Sequence, residues 1–157
     1  MIRLPAALAE PRKPARAIAT GWLLAFPPSI ALALLAGWLL PEVEQPSFEV
    51  AGPLAIFLLV VFSPVVETLI MAAVLEVLLR LVRPWMAIMA SAIGWGVAHS
   101  LAAPAWGLVI WWPFLIFSTL YVTWRQRSVA GAIGLVIAVH ALQNLGPSLF
   151  LLSQSGG

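Results

Sequence analysis

The sequence contains no cysteine and few charged residues. Of its 157 residues, 8 are Lys or Arg and 6 are Asp or Glu, so charged residues make up 9% of the chain. The absence of cysteine excludes disulfides and thiolate metal sites. A soluble domain is about one quarter charged because its surface faces water, and this chain has too few charges for such a surface. The net charge is only +2 with no contiguous basic stripe, so we expect no nucleic-acid partner.

Hydrophobic residues make up 62% of the chain and gather in five long runs. A run of about 18 or more apolar residues is long enough to cross a bilayer as a helix. The runs cover residues 17–40, 53–79, 84–102, 105–124 and 128–152. The sequence therefore predicts an all-α, polytopic transmembrane helix bundle of about five spans, embedded in the lipid bilayer.

The basic residues alternate with these predicted spans. They precede the first span, separate the second from the third, and separate the fourth from the fifth: Arg3, Arg12, Lys13, Arg16; Arg80, Arg83; Arg125, Arg127. The loop after the first span carries Glu42, Glu44 and Glu49 and no basic residue. Because basic residues favour the cytoplasmic side, the N-terminus is predicted to be cytoplasmic. Residues 1–16 then form a cytoplasmic tail, and residues 17–152 form a single transmembrane domain.

Several other residues predict local structure. Pro64 should kink the second span, and the Pro27–Pro28 pair should break or bend the first, because proline lacks the backbone N–H of a helix. Glu76 lies four residues before Arg80, a spacing that allows an ion pair at the cytoplasmic edge. Four tryptophans near span ends are expected to be interfacial anchors: Trp38, Trp85, Trp106 and Trp124.

Four polar side chains lie deep inside the predicted spans: Glu67, His99, His140 and Asn144. Counted from the bordering arginines at about 1.5 Å per residue, all four lie roughly 20–25 Å from the cytoplasmic edge. Polar and ionisable groups at this depth are costly and indicate function. Because three different helices bring them to one depth, we expect these residues to share a site.

This set of residues suits the hydrolysis of an amide bond. A glutamate beside a histidine can act as a general base on water, and a second histidine and an amide can stabilise an oxyanion. Alternatively, Glu67, His99 and His140 could hold a zinc ion with an open position for water. A proton-coupled transporter subunit is a further alternative, since the same residue types form proton relays, but the chain has no visible internal repeat.

Three short motifs resemble those of the CPBP family, the bacterial "abortive infection" relatives of the CAAX prenyl endopeptidases. That family carries Glu-Glu-x-x-x-Arg, aromatic-x-x-x-His and His-x-x-x-Asn, in this order. Here the third motif is complete from His140 to Asn144, the second runs from Trp95 to His99, and the first is partial at Glu67.

The resemblance implies an intramembrane endopeptidase of the bacterial plasma membrane, acting on a membrane-associated or prenylated-like protein or peptide. In it Glu67 and His99 would activate water, while His140 and Asn144 would stabilise the oxyanion. The family is called metalloprotease by name, although a metal-free glutamate mechanism is also proposed for it. The resemblance is thus compatible with a zinc enzyme and with an enzyme that has no cofactor.

The chain departs from the family pattern at two positions of the first motif. Thr68 replaces the second Glu, and Ala72 replaces the Arg. Losing both together avoids an unpaired buried charge, so we expect the fold to survive. The activity would be altered, and a non-catalytic relative that binds other membrane proteins or acts as a scaffold is the alternative.

Overall fold

Five helices make up the described part of the chain, which comprises residues 12–44 and 52–155 of a computed structural model. They are α1 (Pro14–Leu39), α2 (Gly52–Leu81), α3 (Pro84–Ser100), α4 (Pro104–Trp124) and α5 (Val129–Ser155). Helix α1 begins inside the predicted tail, of which residues 1–11 lie outside the described residues, as does Glu49. The predicted all-α architecture is confirmed.

Four of these helices, α1, α2, α4 and α5, are long and apolar enough to cross a membrane. Helix α3 has 17 residues, which corresponds to about 25 Å of helix and is at the short end of the range for a span. The protein is therefore a membrane protein whose described residues form a helical bundle.

Helix α4 is at the centre of the bundle and contacts each of the other four helices. The C-terminal half of α4, from Pro113 to Trp124, is almost wholly buried and includes Phe114, Phe117, Leu120 and Tyr121. Among the described residues, α1 and α2 make no contact with each other. Helix α5 contacts both, so α1 and α2 can form opposite walls of one cavity.

Small side chains recur every four residues on the buried face of α1. Ala17, Gly21, Ala25 and Ser29 are buried there. At Gly21 a Cβ would approach Leu120 to 2.7 Å. Small residues at this spacing allow transmembrane helices to pack closely, so this face positions α1 against α4 and α5.

The tightest backbone approach joins α3 to α4. A Cβ at Gly107 would overlap the Ser100 side chain and the Gly96 carbonyl. A Cβ at Gly96 would in turn lie 3.2 Å from the Gly107 carbonyl. Only residues without a side chain fit at this crossing, which brings the end of α3 directly against the start of α4.

Of the two outcomes predicted at Pro27–Pro28, a break or a bend, the break does not occur, and helix α1 continues through both residues. Pro28 cannot donate to the carbonyl of Leu24, four residues earlier. The Trp112 indole N–H of α4 donates to that carbonyl instead, at 2.8 Å. A side chain from a neighbouring helix thus satisfies the backbone group that proline leaves without a donor, as is usual in membrane helices.

Replacing Trp112 with phenylalanine is expected to lower the free energy of unfolding by about 0.5–1.5 kcal/mol, because the Leu24 carbonyl loses its donor while most of the packing remains. Unfolding of the purified protein by SDS in mixed micelles would measure this change. Trp38→Phe is the matched control, since Trp38 is 77% exposed. Equal losses in the two variants would contradict a role for the indole hydrogen bond.

One end of the bundle carries Arg80, Arg83, Arg125 and Arg127 and is called the arginine-bearing end. Glu76 forms an ion pair there, and its partner is Arg125 rather than Arg80. Its two carboxylate oxygens accept hydrogen bonds from Arg125 Nε at 2.6 Å and Nη2 at 2.7 Å, and Tyr121 donates to the same carboxylate at 2.8 Å. Arg125 reaches both carboxylate oxygens, and such a bidentate pair is stronger and more directional than a single contact. The pair therefore links α2 to the end of α4.

The four tryptophans near span ends differ in their surroundings. Trp38 and Trp85 are 77% and 62% exposed, as expected of anchors. Trp124 is 5% exposed, and Trp106 lines an internal cavity. For Trp124 the anchor prediction is wrong, because the C-terminal end of the central helix α4 is covered by neighbouring helices. For Trp106, which is partly buried, the anchor role stays a prediction.

Candidate active site

A cavity of about 270 Å³ lies inside the bundle and receives side chains from all five helices. Its walls are mostly apolar, with Ile30, Val109, Ile110 and Leu151 among them. All four residues that the sequence predicted to share a site line it: Glu67, His99, His140 and Asn144. The other polar lining residues include Ser29, Ser63, Gln143 and Ser148. The bundle therefore brings the four predicted side chains to one cavity.

In this cavity the Glu67 carboxylate lies close to both histidines. Its Oε2 lies 3.9 Å from Nε2 of His99 and 3.9 Å from Nε2 of His140. The Ser63 hydroxyl donates a hydrogen bond to the other oxygen, Oε1. The carboxylate is thus oriented, with one oxygen held by its own helix and the other turned toward both imidazoles.

Ser63 is a residue of the candidate site that the sequence did not single out. It lies one turn before Glu67 on α2, and residues four apart on a helix face each other. The four-residue spacing could have indicated this hydrogen bond, because a hydroxyl one turn from a membrane-embedded carboxylate is within reach to donate to it.

The His99 ring is fixed by its own helix and by a neighbouring aromatic ring. Its Nδ1 lies 2.9 Å from the Trp95 carbonyl oxygen, which can only accept, so Nδ1 carries a proton. In the neutral ring, Nε2 therefore presents its lone pair to Glu67. The ring centre of Trp106 lies 4.8 Å away in an edge-on arrangement and holds the imidazole in place.

The His140 ring has a different environment. Its side chain is buried among aromatic rings, with centroids 4.7 Å from Phe117 and 5.4 Å from Phe114. Its Nδ1 is buried and has no hydrogen-bond partner. Packing rather than hydrogen bonding orients this ring, and no hydrogen bond fixes which of its nitrogens carries the proton.

Asn144 has a structural partner that the sequence did not reveal. Just before Pro64, residues Leu58–Phe62 form a π-helical turn, in which the Ser63 N–H donates to the Leu58 carbonyl. The next N–H in this register would belong to Pro64, which has none, so the Leu59 carbonyl lacks a backbone donor. The Asn144 amide donates to that carbonyl at 2.9 Å. Asn144 therefore holds the π turn that precedes the site.

The two positions that depart from the family pattern lie on a buried, uncharged face of α2. Thr68 is 0% exposed with no partner for its hydroxyl, and Ala72 is 4% exposed. On the same face, Ser118 of α4 lies 3.5 Å from the Met71 sulfur and donates to Ser91 at 3.0 Å. The part of this face formed by Thr68, Met71 and Ala72 is therefore packed through uncharged side chains.

The zinc alternative is not supported by the geometry. Within residues 12–44 and 52–155, no group of three or more His, Cys, Asp or Glu side chains is arranged to hold a metal ion. Ligands of a tetrahedral zinc with bonds of about 2.1 Å lie about 3.4 Å apart. The Glu67 Oε2 lies 3.9 Å from either imidazole nitrogen, a wider spacing.

Comparison with known proteins adds no family assignment. No protein-family model, no curated protein and no solved structure matches the chain. A function for this protein therefore has to be inferred from its own residues and their geometry.

Proposed function

We propose that this chain is an intramembrane endopeptidase similar to the CPBP family, which hydrolyses a peptide bond of a membrane-associated or prenylated-like protein. The observation that carries this proposal is the position of Glu67 Oε2, which lies 3.9 Å from both imidazole Nε2 atoms. Each distance is too long for a direct hydrogen bond and leaves room for a bound water or a substrate oxygen between the two groups.

The chemistry assigned to Glu67 and His99 is activation of that water. Oε2 and the Nε2 lone pair of His99 accept the two water protons, which leaves a lone pair of the water oxygen to attack the scissile carbonyl carbon. As the new C–O bond forms, one water proton moves to Glu67 and the carbonyl electron pair moves to oxygen. Glu67 then gives this proton to the amide nitrogen, and the C–N bond breaks to release the amine.

His140 is assigned to the developing oxyanion. Since no hydrogen bond fixes its proton on Nδ1, its Nε2 can carry the proton and donate it to the substrate oxygen. Asn144 is assigned a positioning role in place of the direct oxyanion contact expected from the motif, because its amide donates to Leu59. The proposed site thus has two groups that act on water and one that acts on the carbonyl.

The surroundings of the site favour a membrane-embedded substrate. The cavity walls are mostly apolar, as expected where an extended apolar segment must lie beside a few oriented polar groups. We place the protein in the bacterial plasma membrane with the arginine-bearing end in the cytoplasm, following the positive-inside rule and the family resemblance.

Membranes from cells that produce the wild-type chain or the Glu67→Gln variant provide the test. New peptide N-termini in membrane proteins, identified by mass spectrometry, are expected with the wild type. We expect them to be absent with Glu67→Gln, which keeps the size of the side chain and removes the base. Glu42→Gln, an exposed loop change, is the matched control and should behave as wild type.

The peptidase proposal would be contradicted if the wild-type, Glu67→Gln and Glu42→Gln samples contained the same peptide N-termini. It would also be contradicted if none of the three contained N-termini that are absent from cells without the chain. A wild-type chain that cleaves nothing would favour the non-catalytic relative. Proton flux through liposomes that contain the purified chain, lost in Glu67→Gln, would favour the transporter subunit.

A further inference from the structure

The Glu67 cavity occupies only the half of the bundle that lies away from the arginine-bearing end. Counted at about 1.5 Å per residue, Phe117 is the lining residue nearest to the arginines and lies roughly 12 Å from Arg125. The nearest lining residues of α1, α2 and α5 are Ser29, Glu67 and His140, and each lies roughly 20 Å from the closest arginine in sequence. The other lining residues of these three helices lie farther still from that end.

The half of the bundle nearer the arginines is filled by apolar side chains. Side chains from α2, α4 and α5 are fully buried there: Met71, Leu75, Leu120, Tyr121 and Val136. They form one cluster with Phe117, which also lines the cavity. A second cavity, at the arginine-bearing end, shares none of its described lining residues with the first. The packed cluster therefore separates Glu67 from the arginine-bearing end.

The exposed part of the cavity wall lies between α1 and α5. These helices meet at Phe26 and Gly146, where a Cβ added to the glycine would approach the Phe26 ring to 2.8 Å. Farther from the arginines, both helices line the cavity with exposed residues: Ile30 and Ala33 on α1, and Pro147 and Leu151 on α5. The lining residues of α2, α3 and α4 are buried or half-buried. Among the described residues, the opening is therefore between the outer parts of α1 and α5.

We propose that the Glu67 cavity opens between α1 and α5 in the outer half of the bilayer and takes its substrate there, the extended outer end of another protein's transmembrane helix. This inference rests on the proposed function and adds the side from which substrate enters. The positive-inside rule places the arginine-bearing end in the cytoplasm, so the open half of the bundle faces the outer leaflet. A lipid-modified tail of a cytoplasmic protein would have to pass through the packed half.

The chemistry of the site requires an end of a helix rather than its middle. Inside a helix each carbonyl accepts a backbone hydrogen bond, whereas the last four carbonyls have no intrahelical partner. Attack by water and donation by His140 both need such a free carbonyl. Extended backbone at membrane depth is tolerated where it lies within protein or in a hydrated cavity. Ile30 and Leu151 present apolar side chains at the opening, and the Glu67 carboxylate lies deeper inside.

Cysteine labelling tests the side of the opening without any need for catalysis. Because the chain contains no cysteine, a single introduced thiol reports on one position. In spheroplasts, a charged, membrane-impermeant methanethiosulfonate should modify Ala33→Cys from outside. Leu34→Cys is the matched control, since Leu34 is 71% exposed and does not line the cavity. It should react severalfold more slowly, because a thiol in lipid stays protonated and the thiolate is the reactive form.

Two exposed loop positions mark the ends of the bundle in the same experiment. Glu42→Cys should be modified in intact spheroplasts, and Gln126→Cys only after permeabilisation. Modification of Ala33→Cys that requires permeabilisation, or that is no faster than in Leu34→Cys, would overturn the proposed opening.

The positions of the cleaved bonds test the substrate class. New N-termini produced by the wild type should lie at the outer ends of transmembrane helices. Ala33→Trp should narrow the opening and reduce them severalfold, whereas Leu34→Trp should leave them unchanged. New N-termini in cytoplasmic tails would refute this substrate class and leave the peptidase proposal standing. If no new N-termini appeared at all, the peptidase proposal would fail, and the thiol labelling alone would decide whether the cavity opens outward.

Discussion

Replacing His99 with alanine is expected to slow peptide-bond hydrolysis by about 10²-fold, the usual cost of misplacing a reacting group by about 1 Å. His99 presents its Nε2 lone pair to Glu67 because its Nδ1–H is engaged by the Trp95 carbonyl. Alanine removes that acceptor and leaves the carboxylate as the only group that orients the water. The rate can be followed on a peptide that spans a cleavage site found with the wild-type chain.

The effect of a second substitution distinguishes one catalytic unit from two independent contacts. If Glu67 and His99 act on the same water, the His99→Ala, Glu67→Gln double variant should be no slower than the worse single variant, as for other groups that act together. Multiplication of the two effects would contradict a shared water. Gln143→Ala is the control, because Gln143 lines the same cavity and has no part in the proposed chemistry. A loss equal to that of His99→Ala there would indicate general disruption of the cavity.

That these side chains lie at one level along the bundle could be predicted from the sequence, because the level of a side chain derives from helix geometry. A rise of about 1.5 Å per residue fixes the height of a side chain once the arginines mark the membrane edge. Counting residues from the arginines therefore placed Glu67, His99 and His140 at one level. Their facing one another is an additional fact, which the 3.9 Å separations establish.

The hydrogen-bond partners of the site could not be predicted in the same way. The contact between Asn144 and substrate stays a prediction, and the hydrogen bond from its amide to the Leu59 carbonyl had no signal in the sequence. That acceptor exists because a π turn and Pro64 together leave a carbonyl without a donor, and a π turn has no sequence pattern of its own. The Glu76 partner was wrong for a related reason. Contacts between helices depend on packing, and spacing along one helix pointed to Arg80, whereas the ion pair is formed by Arg125, the residue directly after α4.

Replacing Gly107 with alanine is expected to lower the free energy of unfolding by about 1–3 kcal/mol or more, as overpacking does. The added Cβ would overlap the Ser100 side chain and the Gly96 carbonyl. The second of these is backbone and cannot rotate away, so α3 would have to move from α4. Gly94→Ala is the matched control, because a Cβ there meets nothing within 4 Å. It should be neutral or stabilising by a few tenths of a kcal/mol up to about 1 kcal/mol, the difference in helix propensity.

Partial rescue separates the two overlaps at Gly107. Adding Ser100→Gly to Gly107→Ala removes the contact with the serine side chain and leaves the contact with the Gly96 carbonyl. The double variant should therefore recover part of the lost stability in SDS unfolding but not all of it. Full recovery would mean that the two backbones do not touch, and equal stability of Gly107→Ala and Gly94→Ala would rule out the close crossing altogether. Because His99 lies one residue before Ser100, movement of this crossing should also displace the imidazole from Glu67, so hydrolysis should fall with stability in Gly107→Ala and remain at the wild-type rate in Gly94→Ala.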